Sequence, residues 1–162
     1  MSSLQGVPRS THDIDVIISI SEKDIEKIIS NFSKEDFYYN EETIKNAVRK
    51  KSQFNLINQD YGDKIDFWLL TESGFDKSRF SRRQKIKFMD FNIVVSTPED
   101  TILEKLYWSK LSGGSKKHYL DALRVYELQQ EILDMVYLEK WSREIGIKSL
   151  FLDIKKEASK NE

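Results

Sequence analysis

The chain has 162 residues, of which 39% are hydrophobic and 12% aromatic, enough for one domain with a buried core. Its formal net charge of −1 excludes a globally basic field and argues against indiscriminate nucleic-acid binding, with local basic patches as the alternative. The absence of cysteine excludes disulfides, thiolate chemistry and cysteine-based zinc sites.

The N-terminus and the length of the apolar runs indicate the cellular location of the protein. No apolar run approaches the ~20 residues that a membrane-spanning helix needs. The N-terminus reaches a Gly-Pro turn and charged residues almost at once, unlike a signal peptide. With no disulfide-forming residues either, the sequence favours a cytoplasmic protein.

A polar turn leads directly into an apolar strand near the N-terminus. The turn contains a glycine and a proline, and a β-branched run over residues 14–20 follows. Asp13 and Asp15 lie at the junction, on one face of the predicted strand and about 6.6 Å apart at ~3.3 Å per residue. Two carboxylates so close repel each other unless a cation lies between them. Hard oxygen ligands with only His12 nearby favour Mg²⁺ or Mn²⁺ over zinc; the alternative is that both acids cap a turn and face solvent.

The residues around this pair resemble a known signature. Residues 6–16, Gly-Val-Pro-Arg-Ser-Thr-His-Asp-Ile-Asp-Val, are similar to the G-x-x-R-x-T-x-D-I-D-hydrophobic pattern of the DNA polymerase β-like nucleotidyltransferase superfamily, in particular its minimal, AbiEii-type branch. Several members of that branch are toxins of toxin–antitoxin pairs. The resemblance implies that the two aspartates bind metal and that Arg9, Ser10 and Thr11 contact the nucleotide. The alternative for Arg9 is an ion pair with one of the acids.

A second acidic position follows in the next part of the chain. Apolar spacing predicts helices over residues 21–32 and 40–50 and strands over 53–57 and 64–70. The last strand carries Lys64, Asp66 and Trp68 on one face. An aspartate in an apolar strand is costly to bury unless it is paired or binds metal. The resemblance implies that Asp66 is the third metal-binding carboxylate, with Asp63 as the alternative; an edge-strand aspartate that faces water has the same sequence pattern.

The C-terminal half is predicted to be mainly helical. A basic helix covers residues 75–85, and its cluster of cations from Arg79 to Lys85 is either a solvated face or a surface for an acidic substrate such as RNA. A hairpin is predicted around Asp90. Thr97 and the proline after it form a strong helix start. Four helices are predicted over residues 97–111, 116–130, 133–144 and 148–158.

Two motifs in the helical half extend the resemblance. Residues 98–106, Pro-Glu-Asp-Thr-Ile-Leu-Glu-Lys-Leu, are similar to an AbiEii segment whose lysine, here Lys105, contacts nucleotide phosphate. Asp121 resembles the aspartate of a downstream motif that helps as acid or base, although Arg124 replaces the second acid of that motif. Without the resemblance, Lys105 and Asp121 are typical of solvated helix residues. The superfamily's phosphate-binding Gly-Gly or Gly-Ser segment has no counterpart before Gly6, so we expect a core that is N-terminally incomplete or has lost this element.

The patterns predict an α/β (α+β) fold, which the resemblance implies to be a nucleotidyltransferase-like mixed sheet with flanking helices over residues 1–96 and a helical bundle over 97–162. The function that the resemblance implies is Mg²⁺-dependent transfer of NMP from an NTP to a hydroxyl acceptor on RNA, a protein or a small molecule. Its implied catalytic residues are Asp13, Asp15, Asp66 and Asp121. The alternative, favoured by the incomplete motifs, is an inactive module of the same fold that binds a partner protein. A toxin role would imply an antitoxin protein as partner, and the helical half offers a homodimer surface, although internal packing explains the same side chains.

Overall fold

A computed structural model describes residues 13–160 of the chain. Over this range the chain combines α-helices with two small β-sheets, which confirms the mixed α and β class that the sequence predicts. The described residues form two compact units, 13–77 and 78–160. The division lies earlier in the chain than the sequence-based boundary after residue 96, because the hairpin and the end of the basic helix group with the C-terminal helices.

The first unit is built around a four-stranded mixed sheet. Its strand order is β1-β4-β3-β2, with β1 parallel to β4 and the other pairs antiparallel. In chain order its elements are β1 Asp13–Ile18, a 3-10 turn Glu22–Asp24, α1 Ile25–Asn31, β2 Phe37–Tyr38, α2 Glu41–Lys50, β3 Gln53–Asn58 and β4 Lys64–Leu69. A further helix, α3 Gly74–Arg82, begins in this unit and ends in the second.

Local capping explains where the helices of the first unit begin. The Ser21 amide donates to the Asp24 carboxylate at 2.8 Å, which is one of the two bonds of a capping box, and the Ser21 hydroxyl donates to the same carboxylate at 2.8 Å. The Asn40 side chain accepts a hydrogen bond from the Thr43 amide at 3.0 Å at the start of α2. These contacts confirm two helix starts that the sequence predicts. The short strand β2 was not predicted, because two residues are too few to show a strand period.

The core of the first unit lies on one face of the sheet. Phe54 and Leu56 of β3 pack there with Phe67 and Leu69 of β4 and with the buried side of α2. Alternate residues of a strand point to opposite faces. Residues one position away from these core positions along the strands, including Asp66 next to Phe67, therefore lie on the face of the sheet away from this core.

The second unit contains a hairpin and four further helices. Its elements are β5 Gln84–Phe88, β6 Phe91–Val95, α4 Pro98–Leu111, α5 Lys116–Gln129, a 3-10 turn Gln130–Ile132, α6 Met135–Glu144 and α7 Lys148–Ala158. The two strands form a sheet of their own. Thr97 caps α4 by accepting a hydrogen bond from the Asp100 amide at 3.2 Å, as predicted. None of the described helices is both long enough and apolar enough to span a bilayer.

Helix α4 is the most deeply buried element of this unit. Ile102, Leu103 and Leu106 are fully buried, and Glu104 and Lys105 between them are only 8% and 6% exposed. A helix buried on all sides has little amphipathic character, in contrast to the outer helices that cover it. Side chains of the other helices that complete this core include Val125, Leu138, Phe151 and Ile154.

We expect Leu106→Ala to lower the free energy of unfolding by about 2–5 kcal/mol, because it opens a cavity at a fully buried position. Leu111→Ala on the same helix is the matched control, since that side chain is 64% exposed and should cost less than about 0.5 kcal/mol. Urea denaturation followed by circular dichroism measures both. Equal losses for the two variants would contradict the packing of α4.

Candidate functional site

Three carboxylates share one face on two neighbouring strands of the first unit. The parallel register of β1 and β4 pairs Asp15 with Asp66 and Asp13 with Lys64. Paired residues of adjacent strands lie about 4.8 Å apart and point to the same side. Asp13 and Asp15, two residues apart on β1, also point to one side. Asp13, Asp15 and Asp66 therefore form a carboxylate face, which lies away from the apolar core.

The three acids differ in their exposure to solvent. Asp13 is exposed at the start of β1, and Asp15 is half-buried. The side chain of Asp66 is only 15% exposed. Asp66 has Asp15 of β1 as its register partner on one side and Asn55 of β3 on the other. These three residues form a polar row across three adjacent strands. The least exposed acid is thus in the middle of this row.

A lysine on the same strand pairs with the central acid. Lys64 Nζ lies 2.8 Å from Oδ1 and 2.9 Å from Oδ2 of Asp66. The sequence placed these two residues on one face, two positions apart, but did not predict their ion pair. An aspartate in an apolar strand is stabilised either by an ion pair or by a bound metal. The structure shows an ion pair for Asp66. The ammonium also offsets the like charges of the carboxylate face.

The carboxylate face has the oxygen donors that a divalent ion prefers. Across residues 13–160, no three His, Asp or Glu side chains are gathered closely enough to hold a metal ion. The strand positions nevertheless suit a hard cation, because all three donors are carboxylate oxygens on one face and two of them are register partners. An ion shared between Asp15 and Asp66 would compete with the Lys64 ammonium for the Asp66 carboxylate. The donors are thus of the kind that Mg²⁺ prefers, although their side chains are not gathered into a metal-binding group across residues 13–160.

The remaining site residues implied by the resemblance fall elsewhere. Arg9, Ser10 and Thr11 lie outside the described residues. Lys105 and Asp121 belong to the second unit, on α4 and α5, whereas the carboxylate face belongs to the first. Of the implied site residues, the strand register thus places only Asp13, Asp15 and Asp66 on one face of a sheet.

Lys105 and Asp121 are not solvated helix residues, so that interpretation of the sequence is wrong for both. Lys105 is 6% exposed and Asp121 is 4% exposed. The Lys105 ammonium lies 4.7 Å from the centroid of the Trp108 ring, a cation–π distance. Burial of charged groups is costly and calls for specific neighbours. Sequence reasoning missed this burial because their charge is typical of a helix surface.

The basic cluster is also not a purely solvated face. Arg79 forms an ion pair with Glu104 of α4, and the two side chains are only 11% and 10% exposed. Arg82 Nη2 lies 3.1 Å from Glu99 Oε2, and its Nε lies 3.6 Å from Asp100 Oδ2. Two arginines of α3 are therefore neutralised by carboxylates of α4. Their charge is therefore less available to an acidic substrate, although the Arg82 side chain is still 30% exposed.

A buried polar cluster surrounds Asp100 in the second unit. Tyr137 donates to Asp100 Oδ1 at 2.7 Å, and Thr97 Oγ1 donates to Oδ2 at 2.8 Å. The Tyr137 hydroxyl also lies 3.0 Å from Ser78 Oγ. Burial raises the pKa of the Asp100 carboxyl although these donors and Arg82 oppose it, and burial likewise raises the pKa of Tyr137. The cluster ties α3, α4 and α6 together, and no sequence signal connects Tyr137 with it.

Comparison of the sequence with protein-family models finds no match, and comparison with curated proteins finds none either. The carboxylate face is the feature of the described chain whose residue types and geometry bear most directly on a chemical function.

We expect Arg79→Ala to destabilise the protein by about 3–5 kcal/mol, because it removes the guanidinium from a buried ion pair with Glu104. Lys77→Ala on the same helix is the matched control. Its ion pair with Glu72 is largely exposed, so the loss should be much smaller. Thermal and urea unfolding compare the variants, and similar losses would contradict a buried role for Arg79.

Proposed function

We propose that the protein is a Mg²⁺-dependent nucleotidyltransferase that moves NMP from an NTP to a hydroxyl acceptor on RNA, a protein or a small molecule. The observation that carries the proposal is the register that sets Asp15 beside Asp66, with Asp13 on the same face. This arrangement agrees with the metal-binding roles that the resemblance of residues 6–16 implies for these acids. A cytoplasmic location and Mn²⁺ as an alternative ion belong to the same proposal.

The carboxylate face would hold the metal. Asp13 and Asp15 would bind two Mg²⁺ ions, and Asp66 would share one of them. When bound, the ions lower the pKa of the acceptor hydroxyl and neutralise the leaving pyrophosphate. The strands hold the carboxylates in fixed positions relative to one another, which supports the positioning that in-line transfer requires.

Other residues contribute to the proposal through the resemblance. Arg9, Ser10 and Thr11 would contact the nucleotide, Lys105 would contact its phosphates, and Asp121 would help as acid or base. An antitoxin protein would be the partner if the enzyme is a toxin, which rests on analogy with the superfamily alone.

We expect Asp13→Asn and Asp15→Asn each to abolish Mg²⁺ binding while leaving the fold intact, because each removes a charged oxygen ligand from the sheet surface. Calorimetric titration of Mg²⁺, followed by each NTP in its presence, measures the effect, and circular dichroism monitors the fold. Asp60→Asn, at an exposed turn after β3, is the control and should bind as the unmodified chain does. Unchanged Mg²⁺ affinity in Asp15→Asn would refute the site.

Lys64→Met tests the competition for Asp66 directly. Removing the ammonium frees the carboxylate for metal, so we expect Mg²⁺ affinity to rise roughly fivefold, the equivalent of an ion pair worth ~1 kcal/mol. The same calorimetric titration measures the change. Asp66→Asn should weaken Mg²⁺ binding, and opposite signs for the two variants are the expected pattern. A weaker affinity in Lys64→Met would contradict the assignment.

The second candidate function is an inactive nucleotidyltransferase-like module that binds a partner protein. The observation that favours it is the Lys64–Asp66 ion pair, since a cation of the chain itself already neutralises the central carboxylate. This candidate expects no binding of Mg²⁺ or NTP by the unmodified chain and none by Lys64→Met. The two titrations therefore separate it from the enzyme.

A further inference from the structure

The hairpin of the second unit has two chemically different edges. Its register pairs Lys85 with Val94, Ile86 with Ile93, and Lys87 with Asn92. Strand β5 thus carries two lysines, both exposed. Strand β6, residues 91–95 with the sequence Phe-Asn-Ile-Val-Val, carries no charged side chain. An edge strand offers unpaired N–H and C=O groups to another strand, and lysines on an edge are a common protection against such pairing.

The outer edge of β6 lacks this protection. Among the described residues, β5 is its one strand partner. The hairpin also leaves apolar area uncovered at its tip, where Phe88 is 42% exposed and Phe91 is 71% exposed. Val95 at the base of β6 is already buried at 6% exposure, so the uncovered apolar area lies towards the tip. Pairing along β6 would extend the two strands to four and cover part of this area.

The hairpin turn determines which backbone groups of β6 point outward. Phe88 and Phe91 close a two-residue turn and so form a hydrogen-bonded pair. Hydrogen-bonded and non-bonded pairs alternate along an antiparallel ladder. The pairs at Ile93 and Val95 are therefore also bonded inward to β5. Asn92 and Val94 direct their N–H and C=O groups away from β5.

We propose that two copies of this chain join through the outer edges of β6, antiparallel about a two-fold axis at Ile93. In this register, Asn92 exchanges hydrogen bonds with Val94 of the second copy, and Ile93 lies opposite Ile93 of the second copy. The result is a four-stranded antiparallel sheet. Phe91, which is exposed in the single chain, comes to lie beside Val95 of the second copy on the same apolar face.

The distribution of charge selects a second copy as the occupant. Two uncharged β6 strands meet without repulsion, whereas two β5 strands would bring lysines together. Isologous pairing uses the same edge in both copies. The hairpin sheet of each chain then has only its lysine-bearing edge left, so pairing through this sheet closes as a dimer and does not extend into a fibre.

A cysteine substitution tests the register, because the chain has no cysteine of its own. Ile93 would face its counterpart in a non-hydrogen-bonded pair, with Cα atoms about 4.5 Å apart, within the range of a disulfide. Ile93→Cys should therefore oxidise to a covalent dimer. Asn92→Cys is the matched control, since its counterpart lies on the diagonal at about 7–8 Å, too far for a bridge. Equal cross-linking of the two variants would overturn the proposed register.

A proline substitution tests the edge itself. Val94→Pro removes the outward N–H of β6 and should weaken dimer affinity by roughly 30-fold, as two lost interfacial hydrogen bonds would. Lys85 of β5 is the register partner of Val94, and it lies on the edge that the dimer does not use. Lys85→Pro should therefore leave the dimer unchanged. Sedimentation velocity over a range of concentrations measures both, and circular dichroism checks the fold. A monomeric unmodified chain, or a dimer that persists in Val94→Pro, would overturn the proposal.

Discussion

The parallel pairing of β1 with β4 is the constraint on which the carboxylate face depends. Parallel neighbours require a long crossover connection, and residues 19–63 provide it with two helices and two further strands. The apolar face of the sheet fixes the register, because a slip by one residue would turn Asp15 towards the core and Val16 away from it. The position of Asp15 beside Asp66 is thus a consequence of core packing.

The Lys64–Asp66 ion pair is the point at which the two proposed functions diverge. A carboxylate that is 15% exposed needs a positive partner, and the chain supplies one from the same strand. In an enzyme, this ammonium would balance the face until metal binds. In a binding module, it would be a permanent substitute for the metal. The same geometry is compatible with both proposals, and the relative affinity of Asp66 for lysine and for Mg²⁺ distinguishes them.

Charged residues in the second unit have a different role. The acids at the start of α4 satisfy the helix dipole, as their position in the sequence indicates. They also neutralise Arg82 of α3, and Asp100 accepts hydrogen bonds from Tyr137 and Thr97. Residues 97–100 therefore both begin α4 and contact side chains of α3 and α6. This explains why a motif at a helix start contains some of the most buried acids of the chain.

The sequence by itself determined most helix and strand positions, because caps such as Asn40 and Thr97 and apolar periods act over a few residues. It also placed the acids of β1 and β4 on strand faces. Only the tertiary structure decided that these strands are neighbours, that Lys105 is buried and that Arg79 meets Glu104. These outcomes depend on partners far apart in the chain, and no local pattern specifies which distant residue fills the space beside a given side chain.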